Sequence, residues 1–169
     1  MKTEKIAVFA GMLVIILLGF LIIWNADILG SSPENLERKA REEQEIDSQW
    51  ELVQDTNADM SALLFYNRDK SDCRFSVYLT REGLSYGYFF REGGADGFII
   101  SGVRGLVFED KGVALLSLNV DKVCKIQCSN GESREIDPSM PFAVVLPADC
   151  GEVTLYDETG RVVTLYDAF

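Results

Sequence analysis

The chain has 169 residues, and its 27 acidic and 16 basic side chains give a net charge of −11. So acidic a chain repels the phosphate backbone, which argues against nucleic-acid binding. Histidine is absent, which excludes Ser-His and Cys-His nucleophile pairs, imidazole general bases and histidine metal sites.

The first predicted element is an apolar run from Ile6 to Trp24, which contains no charged residue and no proline. As a helix it would span roughly 28 Å, close to the ~30 Å hydrocarbon core of a bilayer. We therefore predict a single transmembrane helix at residues 6–24, acting as an uncleaved signal anchor after a short cytoplasmic tail at residues 1–5. The alternative is a cleavable signal peptide, but its apolar region is usually only ~7–15 residues long.

The charges that flank this run predict its orientation. Lys2 and Lys5 lie close to its N-terminal side, whereas Asp27 and Glu34 follow it. Basic residues favour the cytoplasmic side, so we expect a single-pass protein of the cell membrane with its C-terminal domain outside. Without Lys2, Glu4 and Lys5, 26 acidic and 14 basic residues remain, a net charge of −12, which also disfavours anionic lipid headgroups.

Residues 25–58 are predicted to form an acidic helical linker. Ser32 is a suitable N-cap, and Pro33 suits the first helical position. A sparse apolar stripe at helical spacing continues through Ile46, Trp50 and Val53. We expect a solvated helical stalk; the alternative is that the end of the stripe packs on the following domain. A coiled-coil dimer has little support, because fewer than three clean heptads are present.

Residues 59–169 carry short apolar runs separated by turn signals at roughly eight- to twelve-residue spacing, which is typical of all-β domains. Candidate strands include Ala62–Tyr66, Arg74–Thr80 and Phe98–Ser101. We predict an all-β extracytoplasmic domain with an immunoglobulin-like antiparallel β-sandwich fold. In this general pattern the chain resembles single-pass envelope proteins of Gram-positive bacteria with an immunoglobulin-like outer domain. That resemblance implies no site residue.

Near the C-terminus, a hairpin register can be predicted from turn chemistry. A type I turn at Glu158-Thr159, followed by Gly160 in the left-handed region, brings the apolar residues onto one face. The pairs it predicts are Asp157 with Arg161, Leu155 with Val163, and Val153 with Leu165.

A second hairpin, around Glu82-Gly83, is predicted to be aromatic. A type I turn with Gly83 as a bulge pairs Tyr78 with Tyr86 and Ser76 with Tyr88. One face then carries Phe90 together with Tyr78, Tyr86 and Tyr88, and the three tyrosines are our candidate binding residues. Either the protein's own linker helix or a crossing loop covers this face, or the face is an exposed aromatic surface for a partner or a glycan.

Four cysteines, Cys73, Cys124, Cys128 and Cys150, lie in the β domain. An extracytoplasmic location permits disulfides, and free buried thiols are the alternative. A strand over 122–128 would point Cys124 and Cys128 inward, with their Cα atoms roughly 13 Å apart, which excludes a bond between them. We hypothesise that Cys150 bonds to one of these two strand cysteines.

No catalytic or phosphate-binding motif is present, and the loop at residues 67–72 departs from a calcium loop. We therefore expect no metal and no cofactor, and a non-enzymatic interaction or scaffold module of the cell envelope, with an envelope or membrane protein as partner. The alternatives are an accessory subunit of a membrane transporter or sensor, and a carboxylate-dependent envelope hydrolase.

Overall fold

The computed structural model describes residues 11–19, 21, 28–83 and 85–168. Residues 11–19 are helical. Within the described ranges, no helix combines the length and the apolar character needed to cross a membrane. The predicted tail at residues 1–5 and much of the predicted anchor at residues 6–24 lie outside the described residues, so the anchor stays a prediction.

The remaining described residues form two short helices and a series of strands. A 3₁₀ turn at Pro33–Asn35 leads into helix α1 (Leu36–Glu43), helix α2 spans Gly97–Ser101, and a second 3₁₀ turn spans Ala148–Cys150. The strands are β1 (Glu51–Thr56), β2 (Met60–Tyr66), β3 (Cys73–Leu79), β4 (Phe89–Gly94), β5 (Val103–Phe108), β6 (Gly112–Ser117), β7 (Val123–Cys128), β8 (Ser133–Glu135), β9 (Phe142–Leu146), β10 (Val153–Asp157), β11 (Val162–Val163) and β12 (Leu165–Ala168).

The strands form three four-stranded sheets. Sheet 1 has the order β1-β2-β3-β4, sheet 2 the order β12-β5-β6-β9, and sheet 3 the order β11-β10-β7-β8. Neighbouring strands are antiparallel except β12, which is parallel to β5. The all-β class is confirmed. The immunoglobulin-like sandwich is not confirmed, because the strands form three sheets in layers rather than two.

Sheet 2 is the middle layer, and the alternation of its side chains shows this. In β6, Ala114 and Leu116 pack into the core shared with sheet 1, whereas Leu115 packs into the core shared with sheet 3. In β9, Val145 faces the first core and Val144 the second. A strand buried on both faces reads as a continuous apolar run, which explains the sequence Phe142–Leu146.

Helix α1 covers the outer face of sheet 1. Leu36 and Ala40 are fully buried against Leu63, Phe65 and Tyr78. Burying one leucine side chain contributes about 2 kcal/mol, so the contact stabilises the fold.

The expected solvated stalk is therefore wrong, and packing of the end of the apolar stripe on the following domain is confirmed. Ile46, Trp50 and Leu52 pack on the same cluster as Leu36, and Val53 packs on the core between sheets 1 and 2. Strand β1 lies within the range predicted as linker, 25–58.

The C-terminal hairpin follows its predicted register only in part. Leu155 pairs with Val163, the Asp157 amide donates to the Arg161 carbonyl over 2.9 Å, and Gly160 has φ of 82°. The predicted pairing of Val153 with Leu165 is wrong, because the chain leaves sheet 3 and Leu165 pairs with Val103 in sheet 2.

The aromatic hairpin has a different register from the predicted one. Tyr78 pairs with Phe90, and β4 begins only at Phe89. The intervening residues 86–88 instead form bridges with residues 29–31, so a segment far away in the sequence overrides the local turn. The candidate strand Phe98–Ser101 is also wrong. It lies in α2, where the Asp96 side chain accepts a hydrogen bond from the Phe98 amide over 2.8 Å and caps a helical turn.

Candidate functional site

The three tyrosines predicted as a binding face do not share one surface. Tyr78 is fully buried under α1, and its hydroxyl donates to a Glu43 carboxylate oxygen over 3.2 Å. Tyr88 is buried as well, and its hydroxyl donates to the Asn57 carbonyl over 2.5 Å. Burial raises the pKa of both phenols. Tyr86, in contrast, is 68% exposed. The protein's own linker helix therefore covers Tyr78, and Tyr86 alone of the three points outward.

An open groove lies beside this hairpin and is our candidate site. It has a volume of about 550 Å³. One side is formed by the end of β3 and the start of β4, and the other side by the β5–β6 turn. Such a volume is within the range of ligand-binding clefts, roughly 300–1,000 Å³. The residues that define it are Arg81, Phe89, Phe90, Arg91, Val107 and Lys111. We call it the sheet 1–sheet 2 groove.

Apolar side chains of the groove are unusually open to solvent. Phe90 is 45% exposed and Val107 is 53% exposed. Phe90 follows the buried Phe89 in an otherwise open edge strand, whereas Val107 follows the buried Leu106 in a strand that is mostly buried. Phe90 also contacts the buried Tyr78 ring edge-on, with ring centroids 5.7 Å apart. This contact anchors one side of the exposed ring, so it presents a rigid apolar surface to a partner.

The groove has balanced charges in an otherwise acidic protein. Arg81, Arg91 and Lys111 line the groove together with Glu82, Glu109 and Asp110. The Arg81 guanidinium carbon lies 3.9 Å from the centroid of the Phe89 ring, a cation–π contact. The Lys111 ammonium lies 3.4 Å from an Asp59 carboxylate oxygen. A neutral or acidic partner therefore meets less repulsion here than a net charge of −11 implies.

Strand β4 is an edge of sheet 1, and its sequence limits how a partner can approach. Among the described strands it pairs with β3 alone. Arg91 is an extra residue opposite the step from Tyr78 to Val77, a β-bulge. Bulges and charged side chains both discourage uncontrolled edge-to-edge pairing. Recognition in the groove would therefore rely on side chains more than on added β-strand pairing.

A second groove, of about 560 Å³, lies at the C-terminal hairpin and is polar. Its charges engage one another: Lys122 lies 3.2 Å from Glu158, and Arg161 lies 3.1 Å from Asp157. Asp157 accepts hydrogen bonds from the Thr159 hydroxyl and from the Thr159 and Arg161 amides, which lowers its pKa to about 2. This carboxylate closes the hairpin turn and stays ionised.

Several carboxyl groups have shifted pKa values, a property that matters for hydrolase chemistry. A glycosidase general acid needs a raised pKa. The carboxyl pKa values that the structure shifts are lowered, at Glu34, Asp69, Asp137 and Asp157, and in each the first cause is a hydrogen bond from a nearby serine or threonine. Within the described part of the chain, no cluster of three or more acidic or cysteine side chains could hold a metal ion.

The four cysteines are thiols in this structure. Cys128 and Cys150 are buried together in the core between sheets 2 and 3, and burial raises the pKa of both, that of Cys128 to about 11. Burial likewise raises the pKa of Cys73 to about 11.

Cys124 does not point inward as predicted. It is the extra residue of a β-bulge in β7 and is half-exposed, while Val123 takes the buried position.

Sequence reasoning did not find the sheet 1–sheet 2 groove, although Phe90 belongs to the predicted aromatic face. The other side of the groove is formed by the β5–β6 turn, which lies next to the hairpin only because the two sheets pack together.

Comparisons of this chain with protein-family models, with curated proteins and with solved structures found no match.

Proposed function

We propose that this protein is a membrane-anchored, non-enzymatic interaction module of the cell envelope, and that its extracytoplasmic β domain binds a protein partner in the sheet 1–sheet 2 groove. The observation that carries the proposal is the exposure of Phe90 and Val107 beside balanced charges. Exposed aromatic and aliphatic side chains in a rimmed groove are typical of protein-binding surfaces. The apolar run at residues 6–24 supplies the membrane anchor.

The second candidate is an accessory subunit of a membrane transporter or sensor. One observation favours it: Arg81 and Phe89 line the groove on either side of the segment that pairs with residues 28–31, which follow the predicted anchor. A partner in the groove would then lie close to the membrane surface. In this second candidate, sheets 1 and 2 present the groove to a neighbouring membrane protein.

Site-specific photocrosslinking in intact membranes tests the groove. A photoreactive phenylalanine analogue at Phe90 should give a discrete crosslinked species, whereas the same analogue at Phe98 should not. Phe98 is the matched control, because it is 48% exposed and lies in α2, outside the groove. Val107→Asp should remove the Phe90 crosslink, because it places a charge in the same apolar surface.

Two results would count against the proposal. Equal crosslinking from Phe90 and Phe98 would mean that the groove is not the binding surface. Turnover of a cell-wall or peptide substrate by the purified protein would replace the interaction role with an enzymatic one.

The anchor has its own test. Alkaline carbonate washing should leave the full-length chain in the membrane, and a released species beginning between residues 25 and 32 would show cleavage instead.

A further inference from the structure

The chain entering the β domain is joined to it by a short β-junction, which we define as residues 28–31 paired with residues 86–88. The Tyr86 amide donates to the Ile28 carbonyl over 2.9 Å, and the Gly30 amide donates to the Tyr86 carbonyl over 2.7 Å. Ser31 and Tyr88 exchange two further bonds of 2.8 Å. Four backbone hydrogen bonds therefore fix the direction in which the chain arrives.

Two glycines make this close approach of the backbones feasible. A Cβ on Gly30 would lie 2.7 Å from the Tyr88 carbonyl oxygen, and a Cβ on Gly87 would lie 2.7 Å from the Ser31 carbonyl oxygen. Gly87 also has φ of 91°, in the region that favours glycine. Any larger residue at either position would push the two segments apart, so the sequence itself permits the β-junction.

The β-junction presents two large side chains to solvent. Leu29 and Tyr86 are bridge partners, and they are 66% and 68% exposed. A tyrosine has an apolar ring and a polar tip, which suits the boundary between lipid and water. A neighbouring leucine adds apolar area that only a hydrocarbon environment or a partner would bury.

The position of this pair along the chain identifies its environment. The predicted anchor ends at Trp24, and the four residues from there to Ile28 can extend at most ~14 Å. The headgroup region on one side of a bilayer is ~5–8 Å thick. We propose that Leu29 and Tyr86 enter the headgroup region of the bilayer and hold the β domain against the membrane surface. This inference rests on the proposed membrane anchor, and the negative charge of the domain makes a zwitterionic lipid surface the expected partner.

Fluorine NMR of the full chain in phosphatidylcholine nanodiscs tests the proposal. The six tyrosines are replaced with 3-fluorotyrosine, and Tyr86→Phe assigns the resonance of interest. A nitroxide on the lipid headgroup should broaden the Tyr86 resonance several-fold more than that of Tyr166, an exposed tyrosine of β12. If a soluble paramagnetic agent broadens Tyr86 and Tyr166 equally while the lipid nitroxide leaves Tyr86 unchanged, the proposal is overturned.

Two glycine variants distinguish loss of the β-junction from the general strain of an alanine at positive φ. Gly83 and Gly87 have similar positive φ values, 83° and 91°, but no described atom lies within 4 Å of a Cβ added at Gly83. Gly87→Ala should therefore remove most of the lipid-dependent broadening of Tyr86, whereas Gly83→Ala should retain it. Equal broadening in both variants would overturn the role of the β-junction. The resonances of buried Tyr66 and Tyr78 report whether each variant is folded.

Co-elution with the nanodisc distinguishes failure of this inference from failure of the anchor. If the protein elutes apart from the disc, the anchor itself is wrong and this inference falls with it. If the protein stays with the disc but Tyr86 does not sense the lipid nitroxide, the anchor stands and only the docking of the domain is overturned.

Discussion

Asn119 should be one of the most sensitive positions in the fold, because one buried side chain ties the β6–β7 connection to the β8–β9 connection. Its Oδ1 accepts a hydrogen bond from the Val123 amide over 2.7 Å. Its Nδ2 donates to the carbonyls of Val123, Asp137 and Met140 over 3.2, 3.1 and 3.1 Å. Asn119 also has φ of 59°, in the left-handed region that asparagine tolerates better than most residues.

The expected cost of Asn119→Ala follows from these contacts. The two hydrogens on Nδ2 are shared among three carbonyls, so with the Oδ1 acceptor the side chain makes about three full hydrogen bonds. At about 1 kcal/mol each, and with partners left unpaired in the interior, their loss amounts to about 3–4 kcal/mol. Alanine in the left-handed region adds about 1 kcal/mol of backbone strain. We therefore expect Asn119→Ala to lower the free energy of unfolding by about 4–5 kcal/mol. Asn119→Gly should cost about 1 kcal/mol less, because glycine removes the strain but not the lost hydrogen bonds.

Equilibrium urea unfolding of the detergent-solubilised full chain, followed by the fluorescence of half-buried Trp50, measures both variants. Asn119→Asp is the shape-matched control: it keeps the acceptor for Val123 but places a buried carboxylate oxygen against three carbonyl oxygens, so it should cost at least as much as glycine. An alanine variant within about 1 kcal/mol of the wild type would refute the reasoning, because at least three hydrogen bonds would then contribute nothing.

Leu36→Ala should lower the free energy of unfolding by about 2–5 kcal/mol in the same assay, because it empties a fully buried site beneath α1. The pKa of Asp157, lowered to about 2, predicts a pH-dependent contribution. The carboxylate stabilises the fold above pH ~4 and loses this effect as the pH falls through ~2. Asp157→Asn should therefore lower the melting temperature at neutral pH, with the difference shrinking towards pH 2; a constant difference would contradict this. Maleimide should label half-exposed Cys124 before the buried thiols. After oxidation, non-reducing peptide mapping should find Cys128 linked to Cys150, which closes a loop of about 20 residues and stabilises by about 3 kcal/mol; a Cys124 link would contradict the observed contact.

Several features follow from the sequence because their causes lie within a few residues. The turn at Asp157–Arg161 is an example: a carboxylate that accepts from following amides and a glycine that takes a left-handed φ determine the register as far as Leu155 and Val163. The strand predicted at Ala62–Tyr66 from its apolar residues lies within β2, which begins two residues earlier at Met60. The acidic charge and the absence of histidine limit the chemistry without any reference to the fold, and the apolar run at residues 6–24 predicts the location.

Other features depend on segments that are far apart in the sequence. Tyr78 is covered because α1 folds back over sheet 1. The register of the aromatic hairpin differs from the predicted one because Tyr86 and Tyr88 pair with residues 28–31 instead of with β3. Cys124 turns outward because a bulge in β7 lets Val123 occupy the core. The groove exists only where the end of sheet 1 meets the β5–β6 turn. Local turn and strand preferences differ by about 1 kcal/mol, whereas packing of several buried side chains between layers contributes several times more, so tertiary contacts decide wherever the two disagree.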